Sequence, residues 1–261
     1  MTDPADGWVR TARDGAVLTV TLDRPDQLNA QTPATWAALR AVGDSLVDGA
    51  DDGVRVVVVR GAGRSFSAGL DRRLFDPTGG VPGGLAELGA LPAELAQERI
   101  GEYQQGFRWL RSPGIVSIAA VQGHAIGAGA QLALACDLRV VADDLQLRVP
   151  EATLGLVPDL TGTSTLVELV GYSRALEICL TGRAVGAPEA VATGLANLAV
   201  PAGELDGAVA DLVAALLAVD AGAARETVAL LRSAVRNTPA EQDAAERAAQ
   251  ARRLALLGRG D

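Results

Sequence analysis

Two glycine loops, and one amide set just behind the second of them, are where this chain could do chemistry. GAGRSFSAGLD (61–71) leaves the apolar run VRVVVV, and GHAIGAG (123–129) leaves GIVSIAAVQ. Glycine permits the dihedral angles and the close backbone approach with which such loops turn N–H groups toward a ligand. In the second loop a helical pattern begins at once, so the open amides of a first helical turn and the positive end of its dipole point the same way. That arrangement holds an anion or a developing oxyanion; the same glycines would also serve if they only let strand and helix pack closely. Gln131 follows in AQLALAC, where an amide among small apolar residues must find hydrogen-bond partners or cost stability. Neither loop fits the G-x-G-x-x-G dinucleotide fingerprint, and with no lysine anywhere the chain has no phosphate-loop Lys.

The elements that must position these loops alternate along the chain. Residues 16–22 (AVLTVTL) alternate apolar and polar side chains, as a half-buried strand does. After RPDQLNAQ, the spacing of Trp36, Leu39, Val42 and Leu46 predicts a helix over 33–47. A buried strand follows over 54–59, then a stretch over 76–92 interrupted by Gly and Pro that reads as mobile. A helix over 92–110, a strand over 115–121, a helix over 128–136 and a strand over 138–142 complete the pattern, which is that of an α/β fold. From about Gly203 the chain turns wholly helical and rich in Ala and Arg. The change sets a boundary near residue 200, between a core over 1–200 and a helical region over 201–261.

Composition narrows the function further. With 261 residues and 49% hydrophobic content, the chain can bury a large core. It has no uninterrupted apolar run of about 18 residues, and MTDPADGWVR lacks the basic-then-apolar order of a secretory signal. A soluble, cytoplasmic protein without a membrane partner is expected. A net charge of −9, with only three Trp, two Tyr and three Phe, argues against nucleic-acid binding. All 23 basic residues are arginine, so a phosphate-bearing ligand would meet guanidinium groups or backbone amides. Cys136 and Cys179 lie in apolar helical patterns and read as reduced core thiols. With His124 the single histidine, no metal site is expected.

RPDQLNA, SFSAGLD, GHAIGAGAQLALACDLRVVA, PEATLGLVPDLTGT and SRALEICLTGR, in this order over about residues 15–200, resemble the crotonase family of enoyl-CoA hydratases and isomerases. The resemblance implies a spiral of ββα turns forming two nearly perpendicular sheets, and a C-terminal helical region that builds trimers, often paired as hexamers. It implies an acyl-coenzyme A thioester as ligand, with coenzyme A part of the substrate and no separate cofactor. The thioester oxygen would be held by the backbone N–H groups of Leu70 and Ala128. Two preorganised donors in a dry site stabilise the enolate and so let a carboxylate remove the α-proton. By the same resemblance the coenzyme A moiety would lie near Arg24, Ala68, Asp71, Arg72 and Arg73, with Asp71 read first as a residue that fixes its loop.

Hydratases of the family flank the acyl chain with two glutamates. Here the second is Glu151, and Gln131 stands in place of the first. A carboxamide can hold water but cannot exchange a proton near neutral pH. Hydration, which needs an oriented water, a base and an acid, would then rest on Glu151 alone. Moving a double bond from the 3,4 to the 2,3 position needs one base. Asp159 stands where hydratases usually carry glycine and dienoyl-CoA isomerases similarly place an aspartate, which makes it a second acid/base or else a loop cap. Outside the resemblance, Glu151 would be an ordinary loop carboxylate, Gln131 a partner of the loop backbone, and His124 a residue of packing or of a loop hydrogen bond. A double-bond isomerase using Glu151 with Asp159 is therefore the first expectation, a hydratase in which Gln131 holds water the second, and a non-catalytic acyl-CoA carrier the third. The tail RRLALLGRGD departs from the acidic, aromatic and basic ending typical of the family.

Overall fold

VVVV at 56–59 is apolar on both alternating sets of side chains, and only a strand covered on both faces can bury all of them. In the computed structural model, which describes residues 7–48, 53–76 and 81–258, this segment lies inside a six-stranded sheet. The strands are Val9–Asp14 (β1), Val17–Leu22 (β2), Val56–Gly61 (β3), Val116–Val121 (β4), His124–Ile126 (β5), Leu138–Ala142 (β6), Gln146–Arg148 (β7) and Leu198–Val200 (β8). The helices are Pro33–Asp48 (α1), Leu85–Gly89 (α2), Ala93–Arg108 (α3), Ala128–Ala135 (α4), Gly162–Val170 (α5), Tyr172–Thr181 (α6), Ala187–Ala192 (α7), Leu205–Leu217 (α8), Ala221–Ala234 (α9) and Pro239–Leu257 (α10). The large sheet runs β1-β2-β3-β4-β6-β8, with β1 antiparallel to β2 and every other pair parallel.

The short β5 and β7 form a second sheet, which single bridges extend through Gln31 with Leu70, Ser67 with Ala125, and Leu147 with Val185. Each turn of chain thus lays one strand in the large sheet and, a few residues later, a short piece in the small one. This spiral sets residues 67–70 beside β5, where both glycine loops meet.

Valines of β3 face both ways. Val57 and Val59 join the main core with Phe66, Leu132 and Phe107, whereas Val56 and Val58 pack with Leu205 and Val209 of α8. The shift in composition near residue 200 is therefore a shift to helices that cover the back of the sheet. Arg55 donates to the carbonyls of Leu216, Leu217 and Val219 at the end of α8, and Arg232 of α9 pairs with Asp137 at 3.0 Å.

All eight residues of α4 are buried, which its small side chains permit. Its C-terminal carbonyls meet Arg139, 2% exposed, which donates to Ala133 and Cys136 there and to Leu195 across the core. Burial draws the Arg139 pKa down to about 10, so it stays charged at neutral pH and complements the negative end of the helix dipole.

Several elements differ from the sequence pattern. β1 was not expected, because VRTARD is almost wholly exposed and carries no alternation; it is an edge strand held by pairing with β2. Within the stretch read as mobile over 76–92, α2 forms, while residues 77–80 lie outside the described residues. α4 stops at Ala135, and Cys136 caps it in an extended conformation. Both cysteines are free, with the Cys136 thiol pushed up to about 12 by burial. No single helix among the described residues is long and apolar enough to cross a membrane.

Replacing Arg139 by Met keeps much of the side-chain volume but leaves the buried carbonyls of Leu195 and Cys136 without donors. At about 1–3 kcal/mol for each unsatisfied group, Arg139→Met is expected to lose at least about 2 kcal/mol of unfolding free energy in urea titration. A loss below about 0.5 kcal/mol would mean that the neighbouring carbonyls find other donors.

Candidate active site

The first glycine loop is held from below by a buried chain of hydrogen bonds. The Trp36 indole N–H donates to Gln31 Oε1 at 2.9 Å, and Gln31 Nε2 donates to Ser67 Oγ at 3.0 Å. The Ser67 hydroxyl donates to the carbonyl of Asn29 at 2.8 Å and accepts from the Gly69 amide at 3.2 Å. Asn29 in turn donates to the carbonyls of Ala62 and Ser65 at the start of the loop. RPDQLNAQ and SFSAG are thereby one unit. Ser67 and Gln31 were not singled out from sequence; two polar residues set among buried neighbours were the available signal.

That unit brings the two loops into contact. Gly69 has φ +86°, and a Cβ on it would stand 2.4 Å from Ile126 O and 3.6 Å from the Ala128 nitrogen, so only glycine allows this approach. The amides of Leu70 and Ala128 donate to no described residue. Both residues line two adjoining cavities, an outer one of about 310 Å³ with Ala68, Arg72 and Phe75, and an inner one of about 220 Å³ with Trp36, Tyr103 and Asp159. The cavities share Leu70, Ala128, Glu151 and Leu156.

Gln131 finds its partners here. Its Oε1 accepts from the amides of Leu160 at 2.8 Å and Gly162 at 3.4 Å, which fixes the orientation of the carboxamide. Its Nε2 then donates to Glu151 Oε1 at 2.7 Å. Glu151 Oε2 is buried and without a hydrogen-bond partner among the described residues. Burial pushes the Glu151 carboxyl above the ordinary carboxylate range; hydrogen bonds from the backbone and from Gln131 pull it partly back, and the charge of Asp159 adds to the rise. Burial likewise raises Asp159, which borders the inner cavity and also a polar cavity of about 570 Å³ beside Gln104, Arg108 and Arg111. The structure thus gathers Gln131, Glu151, Asp159, Leu70 and Ala128 at one place.

Three of the residues expected near coenzyme A stand apart from both cavities. Arg24, stacked 4.3 Å over the Trp8 ring, pairs with Asp71, and Arg73 pairs with the same carboxylate at 2.8 Å. Asp71 also accepts from the Arg73 amide, so it fixes the end of the loop, and its bonds to Arg73 and Arg24 hold its carboxyl well below the usual range. Ala68 and Arg72 face the outer cavity. His124 lies away from the site, its Nδ1 3.0 Å from Ser65 Oγ.

Comparison with known proteins places the fold in a family. A family model described as enoyl-CoA hydratase/isomerase matches residues 12–255. A probable enoyl-CoA hydratase of Mycobacterium tuberculosis is 32% identical over 193 residues, 74% of this chain and 68% of that protein. A protein of Thermobifida fusca assigned to the enoyl-CoA hydratases, crystallised in complex with CoA, is 49% identical and superposes with a TM-score of 0.89 over 98% of this chain and 96% of its own. The same protein has been crystallised with acetoacetyl-CoA, at a TM-score of 0.90. An enoyl-CoA hydratase of Bacillus anthracis, 25% identical, superposes at 0.80 over 93% of this chain and 89% of its own.

A carboxyl whose folded pKa is raised weakens the fold once it ionises. Below its unfolded pKa of about 4.3 the cost is absent, and it grows as pH rises through the folded value. Glutamine mimics the protonated acid and can still accept from Gln131. Glu151→Gln is therefore expected to melt above the wild type at pH 8, with the gap closing as the pH falls toward about 4. Melting curves against pH check it, and a variant less stable at every pH would contradict the raised carboxyl.

Proposed function

We propose that this chain, which belongs to the enoyl-CoA hydratase/isomerase family, moves a double bond in an enoyl-CoA or dienoyl-CoA thioester by proton transfer through the thioester enolate. One observation carries the reading: a buried carboxylate where both cavities meet, with one oxygen tied to Gln131 and the other unpartnered among the described residues. In this reading the thioester oxygen accepts from the open amides of Leu70 and Ala128, the acyl chain fills the inner cavity, and coenzyme A leaves through the outer one past Ala68 and Arg72. Glu151 takes the proton from Cα, the electrons of that C–H bond pass into the dienolate, and the proton returns at Cγ while the double bond settles at the 2,3 position. Asp159 is a second acid/base on the inner side. The relative crystallised with CoA and with acetoacetyl-CoA supports a coenzyme A thioester as ligand.

Hydration is the second reading, favoured by the names the relatives carry. The geometry burdens it, because both acceptor positions of Gln131 Oε1 are taken and its remaining N–H can only donate to a water. Glu151 would then do all the proton transfer. We also read the chain as assembling into trimers or hexamers, which Leu231, Leu254 and Leu257, exposed on α9 and α10, support; sedimentation measures this.

Glu151→Gln is expected to slow exchange of the Cα proton of a bound acyl-CoA with solvent by about 10²-fold or more, with thioester affinity retained; exchange at the wild-type rate refutes the proposed base. Gln131→Glu tests the departure from the hydratase pattern. One oxygen would keep the Leu160 and Gly162 amides, and the other would meet Glu151 Oε1, where the wild-type contact is 2.7 Å. Two carboxyls so close share a proton and act as an acid and a base. The ratio of 2-enoyl-CoA hydration to 3-enoyl-CoA isomerisation should rise. An unchanged ratio in a folded variant would place the attacking water elsewhere.

A further inference from the structure

The inner cavity holds a polar atom that neither reading of the reaction uses. Tyr103, on α3, lines the cavity with its hydroxyl buried and without a hydrogen-bond partner among the described residues. Its ring is fixed 4.8 Å from that of Trp36, whose own N–H is committed to Gln31. Gly83 closes over the hydroxyl, since a Cβ there would fall 2.7 Å from the phenol oxygen. Arg99, one turn earlier on α3, lies near enough to oppose the rise that burial gives the Tyr103 phenol pKa, but it is paired with Glu102 at 3.2 Å, Glu87 and Glu102 offset its charge at Tyr103, and no hydrogen bond from it satisfies the hydroxyl. Most of the remaining lining is apolar, among it Leu74, Leu85, Leu88 and Ile100, and its polar members are Gln131, Glu151 and Asp159. A cavity meant only for a hydrocarbon chain gains nothing from a tyrosine there, because phenylalanine fills the same volume without an unsatisfied hydroxyl.

Resting on the acyl-CoA reading above, we infer that the acyl group carries an uncharged oxygen, a hydroxyl or a carbonyl, beyond its reacting carbons, and that the Tyr103 hydroxyl recognises it. Tyr103 borders the inner cavity alone, whereas Leu70, Ala128 and Glu151 stand at the junction with the outer one, so the oxygen lies farther along the chain than the thioester. A carboxylate at that place is disfavoured by Glu151 and Asp159 on the same walls and by the loss of its hydration. A neutral oxygen satisfies the phenol and adds no charge. A site built around such a hydrogen bond rejects the analogue that lacks it, because the polar group is then left unpaired under an apolar chain.

The test measures binding by calorimetry, independently of turnover. The ligands are the saturated butanoyl-, hexanoyl- and octanoyl-CoA thioesters, each with and without a terminal hydroxyl. At the length that brings the hydroxyl to Tyr103, the hydroxylated thioester is expected to bind about tenfold more tightly than its plain partner. In Tyr103→Phe that preference should fall to within about twofold, with the plain thioester bound as in the wild type and a melting temperature no lower. If plain and hydroxylated thioesters bind alike at every length, or if the variant weakens both equally, the inference is wrong while the acyl-CoA reading stands. If no thioester binds, that reading fails and the inference falls with it.

Discussion

One hydrogen bond, from Gln131 Nε2 to Glu151 Oε1 at 2.7 Å, joins the parts of the molecule that matter for chemistry. It spans α4, the turn after β7 and, through the amides of Leu160 and Gly162, the start of α5. A buried carboxylate needs a donor, and a hydrogen bond to a charged group contributes about 1.5–3 kcal/mol. Gln131 supplies that donor with no choice of protonation state, since an amide whose oxygen is held by two N–H groups can only offer its nitrogen to Glu151. A glutamate in its place would have to share a proton with Glu151. In the proposed reaction the amide therefore leaves Glu151 as the single base at this contact, with one oxygen open to the substrate.

The two open amides depend on a different constraint, the approach of backbone to backbone. Gly69 lies so near Ile126 that any side chain would part the loops, and the bonds from Trp36 through Gln31 to Ser67 fix the loop from the core side. At its far end Asp71 is clamped by Arg24 and Arg73. In the proposed reaction, donors held this firmly would need little reorganisation when charge develops on a thioester oxygen, and that would be the source of their catalytic worth. The guanidiniums that sequence placed near coenzyme A are spent in this way, with Arg72 left facing the outer cavity.

Much of this was legible in the residues. The valines of β3, the glycines of both loops and the misfit of an amide in α4 pointed to a sheet, two turns and a site. Leu70 and Ala128 could be named only through the motifs they sit in, because nothing in a leucine or an alanine side chain marks its amide as a donor. β5, β7 and β8 are three residues each, too short for alternation to register. The pairing of Gln131 with Glu151 is a tertiary contact across 20 positions, and the spacing alone does not choose between a solvated loop carboxylate and a buried base. Tyr103 reads as one more apolar position of an amphipathic α3 until its hydroxyl is seen to lack a partner.

The placement of the two acids divides the work within the proposed reaction. Glu151 lines both cavities, so an acyl chain threaded from one to the other passes it at the carbon beside the thioester and again farther on. Proton removal at Cα and return at Cγ both lie within reach of one carboxylate. Asp159 borders the inner cavity and, on its other side, the polar cavity lined by Gln104, Arg108 and Arg111. It can meet the chain only at its deeper carbons, and it alone of the two acids also borders that polar space. The charge of Asp159 adds to the rise of the Glu151 pKa, so ionisation of either acid opposes ionisation of the other. In the proposed reaction Glu151 serves the carbons at the thioester end of the chain and Asp159 those farther along it.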